Sequence, residues 1–369
     1  MKVSNRLLYY QLRRDLSQNT EKLFKLNNQI SAGKRISTPS DDPLGLASVL
    51  IYRTELNSYT QYGKSIDYSK GWLNRMDSVL QDTDDLMSRA DEIAVQMANA
   101  SQNSSTRTGA AQEVAQLRAE LLSNANAKYG NKYMFGGTQT QTQPYIDVDI
   151  NSFQGDVTTM SAVLPAGAAD GDKFIDTAAG ALHNHILQYS AAAAAWNDLG
   201  VPADGTSVVV KDQNEVYLFN QGQWKDVYQG NDTTFSVQIG KGTTAMTNIP
   251  GSDIFSNSQG NAYATLLKLE KALRSNDVAG ITASIGDIDN SSTVVANNLA
   301  KVGAVVNELD HTKTVIDRST VDTTSSMSNI EDLDYAEAIT SLQNQQTIYQ
   351  ATLKSASMIT SLSLVDFIK

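Results

Sequence analysis

Two apolar stripes, one near each end of the chain, constrain the fold more than anything between them. Leu12, Leu16, Leu23, Leu26 and Ile30 recur at three- and four-residue steps and their sums near the start. Tyr335, Ile339, Leu342, Tyr349, Leu353 and Ala356 keep nearly the same rhythm near the end. Such steps gather on one face of a helix, and a helix cannot cover its own stripe. The economical partner for each is the other terminus, which matches it in length and period. Charge agrees: residues 1–40 hold eight cations against two anions, net +6, and residues 330–369 hold two cations against five anions, net −3. That attraction is modest between solvated groups. The chain is expected to leave from and return to one place.

Composition narrows the class. The 369 residues allow two or three ordinary domains, and a chain 41% hydrophobic but only 7% aromatic suits Ala/Leu/Ile helix packing. A net charge of −11 argues against nucleic acid as a partner, because phosphate contacts need a basic face. The cations of residues 1–40 are spread around a helix without interleaved aromatics and read as a solvated face. With no cysteine there is no disulfide, no thiolate nucleophile and no thiolate metal site. Met1–Thr20 lacks the apolar run of a secretory signal, so export, if it occurs, is expected to use another route. The longest bland stretch, Ala191–Ala195, is far too short to span a bilayer, and no membrane partner is expected.

In chain order, the first helix should stop near Gly33, and Asp42-Pro43 has the form of an N-cap followed by proline at the first helical position. The acidic pair Asp41-Asp42 reads as capping, since the alternating ligands and closing glutamate of a calcium loop are missing. A second helix from Leu44 to Asn99 would be a rod of ~80 Å with a period near 3.5, which predicts a left-handed supercoil. After a polar turn, a third helix carries Val114, Leu117, Leu121 and Ala125, and Lys132–Thr138 reads as a short strand ending in a Gly-Gly turn.

From Pro144 to Ile254 the helical period fades. Ser207–Val210 and Val216–Phe219 look like a hairpin, Thr233–Ile239 alternates as a strand, and Ala178–Asp198 is the one helical candidate. On a helix His183 and His185 would not share a face, so no metal site is expected there, and no cofactor or catalytic constellation stands out. Helix returns at Ala262–Ser275 and then over Ile281–Ile316. Thr320–Ser326 reads as a break, and Ser328-Asn329-Ile330-Glu331 as a capping box launching the last helix. The expected fold class is α+β: a long-helix coiled coil or bundle built from both termini, with an inserted, mainly β outer domain. Its parts are a terminal coiled-coil assembly domain (1–42 and 328–369), a helical bundle with a β-hairpin (43–145 and 255–327) and the outer domain (146–254) with its helical insertion.

Several segments carry a resemblance. Gln29–Arg35 running into Pro39–Pro43, Tyr133–Thr138, Gly230–Gly240, Asn248–Phe255, Ile330–Ile339 and Leu362–Phe367 resemble the bacterial flagellin superfamily. Within it the Pro-Ser-Asp-Asp-Pro run and the Phe-Gly-Gly strand are more similar to its hook-associated branch than to flagellins proper. Residues 147–229 fit less well and look like an insertion. The resemblance implies a structural, non-enzymatic subunit of the extracellular flagellum, exported through the flagellum's own channel, at the junction between hook and filament. The partners it implies are further copies of the chain in a ring or helix, neighbouring hook-associated and flagellin subunits, and an export chaperone at the C-terminal helix. Leu12, Leu16, Leu23, Leu26, Ile30, Tyr335, Ile339, Leu342, Tyr349, Leu353, Ile359 and Leu362 are the expected subunit interface. The alternatives are a flagellin-type filament subunit, or an adhesin or glycan-binding module acting through the outer domain. Because one stripe alone buries too little to offset ordering entropy, the terminal arms are expected to fray until neighbours cover them.

Overall fold

The computed structural model describes the backbone of residues 2–368 and the side chains of residue 7 and residues 9–358. The chain forms two units, residues 1–62 with 314–369, and residues 63–313. Among the described residues the helices are α1 (Lys2–Ala32), α2 (Pro43–Ala98), α3 (Ser104–Ala125), α4 (Ala262–Arg274), α5 (Val278–Glu331) and α6 (Tyr335–Ile368).

The long helices are built on a strict seven-residue repeat. In α2, Ile66, Leu73, Leu80, Met87 and Ala94 are all buried, and so is the row three residues on, from Ser69 to Met97. In α5 the buried row is Ile281, Ile288, Val295, Val302, Leu309 and Ile316. A repeat of seven against 3.6 residues per turn keeps each row facing its partner only if the helices wrap left-handed. Within residues 63–313, Lys70 pairs with Asp310 and Asp67 with Lys313, which fixes α2 and α5 as antiparallel. These exposed pairs contribute under about 1 kcal/mol each, so they set register while burial supplies stability.

The break expected at Thr320–Ser326 is absent. α5 runs unbroken to Glu331, and the Thr320 hydroxyl donates back to the Ile316 carbonyl. Serine and threonine can satisfy themselves this way inside a helix, so a polar run alone does not end one. The interruption falls at residues 332–334 instead. Ser328–Glu331 is therefore not a capping box, and α6 is capped by Asp334, whose Oδ1 accepts from the Ala336 and Glu337 amides.

At the other end of residues 63–313, α3 and α4 meet around buried charge. Arg118 donates to Glu270 Oε2 (3.1 Å) and Asp147 Oδ1 (2.6 Å), and Arg274 grips Glu270 Oε1 at 2.7 Å. Glu270 is fully buried, and its two oxygens are shared between two guanidiniums. Arg107, also buried, donates to the Met97 and Asn99 carbonyls and so closes the C-terminal end of α2.

The β region begins with the hairpin β1 (Lys128–Tyr129) and β2 (Lys132–Tyr133). The expected strand at Lys132–Thr138 stops at Tyr133, and Met134 and Phe135 turn into the core. Gly137 takes φ +63 there, and a Cβ would lie 2.0 Å from the Asn231 carbonyl, so only glycine fits. Next come β3 (Phe153–Val157), β4 (Thr159–Ser161), β5 (Lys173–Asp176), β6 (Ile186–Ser190) and β7 (Ala195–Asp198). After them lie β8 (Ser207–Val210), β9 (Glu215–Asn220), β10 (Gln223–Asp226), β11 (Ser236–Gly240) and β12 (Thr243–Met246). β4-β5-β6-β7 and β3-β8-β9-β10 form two four-stranded sheets, each a parallel edge pair followed by an antiparallel meander. Val157, Ile175, Ile186, Val208 and Val210 form one core between them.

The helical candidate Ala178–Asp198 is thus corrected to turns and the strands β6 and β7. Ala191–Ala194 form an exposed turn with Ala194 at φ +49, and Asn184, before β6, stands at φ +66. High helix propensity was overridden because that segment has no apolar face to bury as a helix, whereas Ile186 and Leu187 bury as a strand. The region leaves and returns at neighbouring residues: Tyr145 bridges Tyr228, and the Ile146 amide donates to the Val227 carbonyl.

Replacing Glu270 with Ala leaves the buried Arg118 with Asp147 as its one remaining ion-pair partner and releases the more exposed Arg274. The expected loss in chemical denaturation is about 3–5 kcal/mol, with cooperativity kept.

Candidate assembly surface

α1 and α6 pack antiparallel within one chain. Asn19 Nδ2 donates to Thr352 Oγ1 (3.2 Å), and Gln345 Nε2 donates to Asn19 Oδ1 (3.0 Å). Each arm uses the other as a partner, as the matching stripes predict.

Their inner ends are tied by a charged joint. The Arg35 amide donates to the Glu331 carbonyl (2.7 Å), and the Leu333 amide to the Gly33 carbonyl (3.1 Å). Lys34 Nζ and Arg53 Nη2 both reach Glu331 Oε1 at 2.5 Å, and Glu331 is only 3% exposed. One carboxylate therefore joins the linker after α1, the body of α2 and the last turn of α5. Gly33 permits the crossing: it sits at φ +67, and a Cβ there would stand 2.7 Å from the Tyr335 hydroxyl.

Beside the joint, the Asp42 side chain accepts from the Gly45 amide and caps α2, with Pro43 first in the helix. Asp41 organises the preceding turn. Lys25 Nζ lies 2.7 Å from it, and the Ser37 and Thr38 amides donate to it. Lys25, followed by those amides, holds the Asp41 carboxyl well below the usual carboxylate range.

The expected interface residues divide by exposure. Leu12, Leu16, Leu23, Leu26 and Ile30 are half-buried, as are Leu342 and Tyr349. Tyr335, Ile339 and Leu353 stay exposed, and Ile359 and Leu362 lie outside the described residues. Leu26 and Gln29 of α1 and Gln345 and Ile348 of α6 line one groove of about 370 Å³. Sequence reasoning missed a second row on α1. Leu7, Tyr10 and Phe24 (65% exposed) lie on three-, four- and seven-residue steps through Arg14, Ser17 and Glu21, which interrupt its signal. It also missed Leu44 and Ile51 on α2, seven apart and both exposed. The α1–α6 pair therefore keeps half-buried stripes and leaves Leu7, Tyr10, Phe24, Ile348 and Leu353 exposed. Among the described residues no His, Asp and Glu cluster could hold a metal, and no helix is long and apolar enough to cross a membrane.

Two substitutions test the joint. Glu331→Gln removes the charge on which Lys34 and Arg53 converge and should lower stability by about 2–4 kcal/mol, with hydrogen exchange rising first in residues 33–35 and 332–334. Asp41→Asn removes a carboxyl with a depressed pKa, whose contribution is present above the ordinary aspartate range. The stability gap between wild type and variant should thus be constant above about pH 5, then close as the pH falls through 4 and below, followed by thermal melting.

Comparison with known proteins agrees with this layout. Residues 3–140 match the bacterial flagellin N-terminal helical region and residues 285–368 the bacterial flagellin C-terminal helical region. Flagellar hook-associated protein 3 of Escherichia coli K12 is 26% identical over 183 residues, 48% of this chain and 57% of that protein. A flagellin of Treponema pallidum is 28% identical over 131 residues, 35% of this chain and 46% of that protein. The chain thus spans about half the length of the curated relatives it matches. A solved flagellar hook-associated protein 3 from Legionella pneumophila shares the fold, with a TM-score of 0.52 at 12% identity over 76% of this chain and 98% of that one. With the N- and C-terminal helical regions both present and together spanning more than half of it, the chain belongs to the bacterial flagellin family.

Proposed function

We propose that the chain is a structural subunit of the bacterial flagellum that sits at the junction between hook and filament. The observation that carries this reading is the set of large apolar side chains that the α1–α6 pair leaves exposed, Phe24, Ile348 and Leu353 among them, beside half-buried stripes. Surface of this kind on a two-helix pair is covered when neighbouring copies supply further helices. Contacts would be heterologous, head to tail around a ring or helix, with residues 1–42 and 328–369 as the assembly element and residues 146–254 outside it. The subunit would be extracellular and leave through the flagellum's own channel, with a chaperone on the C-terminal helix before export. Neighbouring hook-associated and flagellin subunits complete the list of partners. The likeness to hook-associated protein 3 favours the junction over the filament itself.

Phe24→Asp combined with Ile348→Asp separates assembly from folding. Both side chains are exposed in the single chain, so the melting temperature should move by no more than the ~0.5 kcal/mol usual for surface changes. In the assembly each new carboxylate would be buried without a counter-ion, at a cost of several kcal/mol. Cells carrying the variant should show hooks without filaments and shed flagellin into the medium. Normal motility would sink the assembly role of these side chains. Filaments that start on the hook and then break along their length would favour the filament-subunit alternative.

A further inference from the structure

The two sheets of the outer region are two copies of one module. Asp-Gly opens each, at 170–171 and 204–205, with both glycines at positive φ, and Trp-x-Asp closes each, at 196–198 and 224–226. Equivalent atoms do equivalent things. The Gly171 amide donates to the Tyr189 carbonyl and the Gly205 amide to the Phe219 carbonyl, at 3.0 and 2.8 Å. Asp170 accepts from the Ala191 amide as Asp204 accepts from the Gln221 amide. Tyr189 meets Trp196 at 5.3 Å and 61°, and Phe219 meets Trp224 at 5.2 Å and 63°. Between its first and second meander strands each module carries a left-handed asparagine, Asn184 (φ 66) and Asn214 (φ 54).

Both asparagines are held by the same two-point grip. The Asn214 carbonyl accepts from Asn261 Nδ2 (2.6 Å), and its own Nδ2 donates to the Asn257 carbonyl (3.2 Å). The Asn184 carbonyl accepts from Trp224 Nε1 (3.4 Å), and its Nδ2 donates to the Gly222 carbonyl (2.8 Å). The segment before α4 thus grips the second module, and the second module grips the first. The gripping tryptophan of the first module, Trp196, is half-exposed, and among the described residues its Nε1 has no acceptor. Ala194, two residues before it, has positive φ, as Gly222 has two residues before Trp224.

We propose that Trp196 Nε1 and the Ala194 carbonyl form a third, open copy of this grip, which binds a left-handed asparagine turn on a neighbouring protein. The filled copy defines the occupant: a backbone carbonyl for the indole and a carboxamide N–H for the carbonyl, beside an aromatic face. An aspartate in the same turn lacks the N–H and sets two acceptors against each other, so it is refused.

The test uses the full chain with 15N-labelled tryptophan, which gives one indole N–H signal for each of Trp72, Trp196 and Trp224, assigned with Trp196→Phe. The probe is a cyclic peptide holding Leu-His-Asn-His-Ile, the sequence of residues 182–186, in its turn. The Trp196 signal should shift saturably while that of Trp224 stays, and the peptide with Asp for Asn should bind about tenfold or more weakly. Trp196→Phe should melt as wild type does, whereas Trp224→Phe, which cuts a grip the chain uses, should lower the melting temperature. No Trp196 shift at millimolar peptide, an equal shift with the Asp peptide, or an equal melting loss in both variants would each overturn the proposal. So would a shift with N-acetylglucosamine but not with the peptide, which would make the site a sugar platform.

Discussion

The seven-residue repeat is the constraint on which the rest depends. It forces α2 and α5 to run side by side as antiparallel partners through residues 63–313, from Ile66 to Ala94 and from Ile281 to Leu309. Within residues 63–313, two helices paired this way require the chain to turn back between them. The β strands, from Lys128 to Met246, all lie in the segment between α3 and α4.

A repeat this regular has a weakness, because a slip of seven residues changes few apolar contacts. Buried charge removes that ambiguity. Glu331, at the end of α5, accepts from Lys34 and from Arg53 of α2. A slip would strand the Glu331 carboxylate, which is 3% exposed, away from Arg53. The net worth of such groups against apolar replacements is small, so register is the better account of their presence.

Much of this was legible in the residues. Apolar steps located α1, α2, α4 and α6 and the pairing of the two ends, and proline and glycine located the joint after α1. The misplaced boundaries share a cause: local composition was given more weight than burial. Thr320–Ser326 looks like a break, but the row through Ile316 continues beyond it and the hydroxyls find partners inside the helix. Ala191–Ala195 looks helical, yet only a strand lets Ile186 and Leu187 reach the core. Glu331 read as a capping residue because a sequence does not show that Lys34 and Arg53 converge on it. The row of Leu7, Tyr10 and Phe24 is hidden by the polar residues Arg14, Ser17 and Glu21 at its intermediate positions.

The bridge between Tyr145 and Tyr228 closes the base of the outer region, so the segment between them begins and ends at neighbouring residues. A segment anchored in this way can be lengthened, shortened or exchanged while the chain before and after it stays in register, because no closure distance changes. The sequence between Tyr145 and Tyr228 is therefore free to vary independently of the helices on either side, and a foreign domain grafted at the same two residues would inherit that independence.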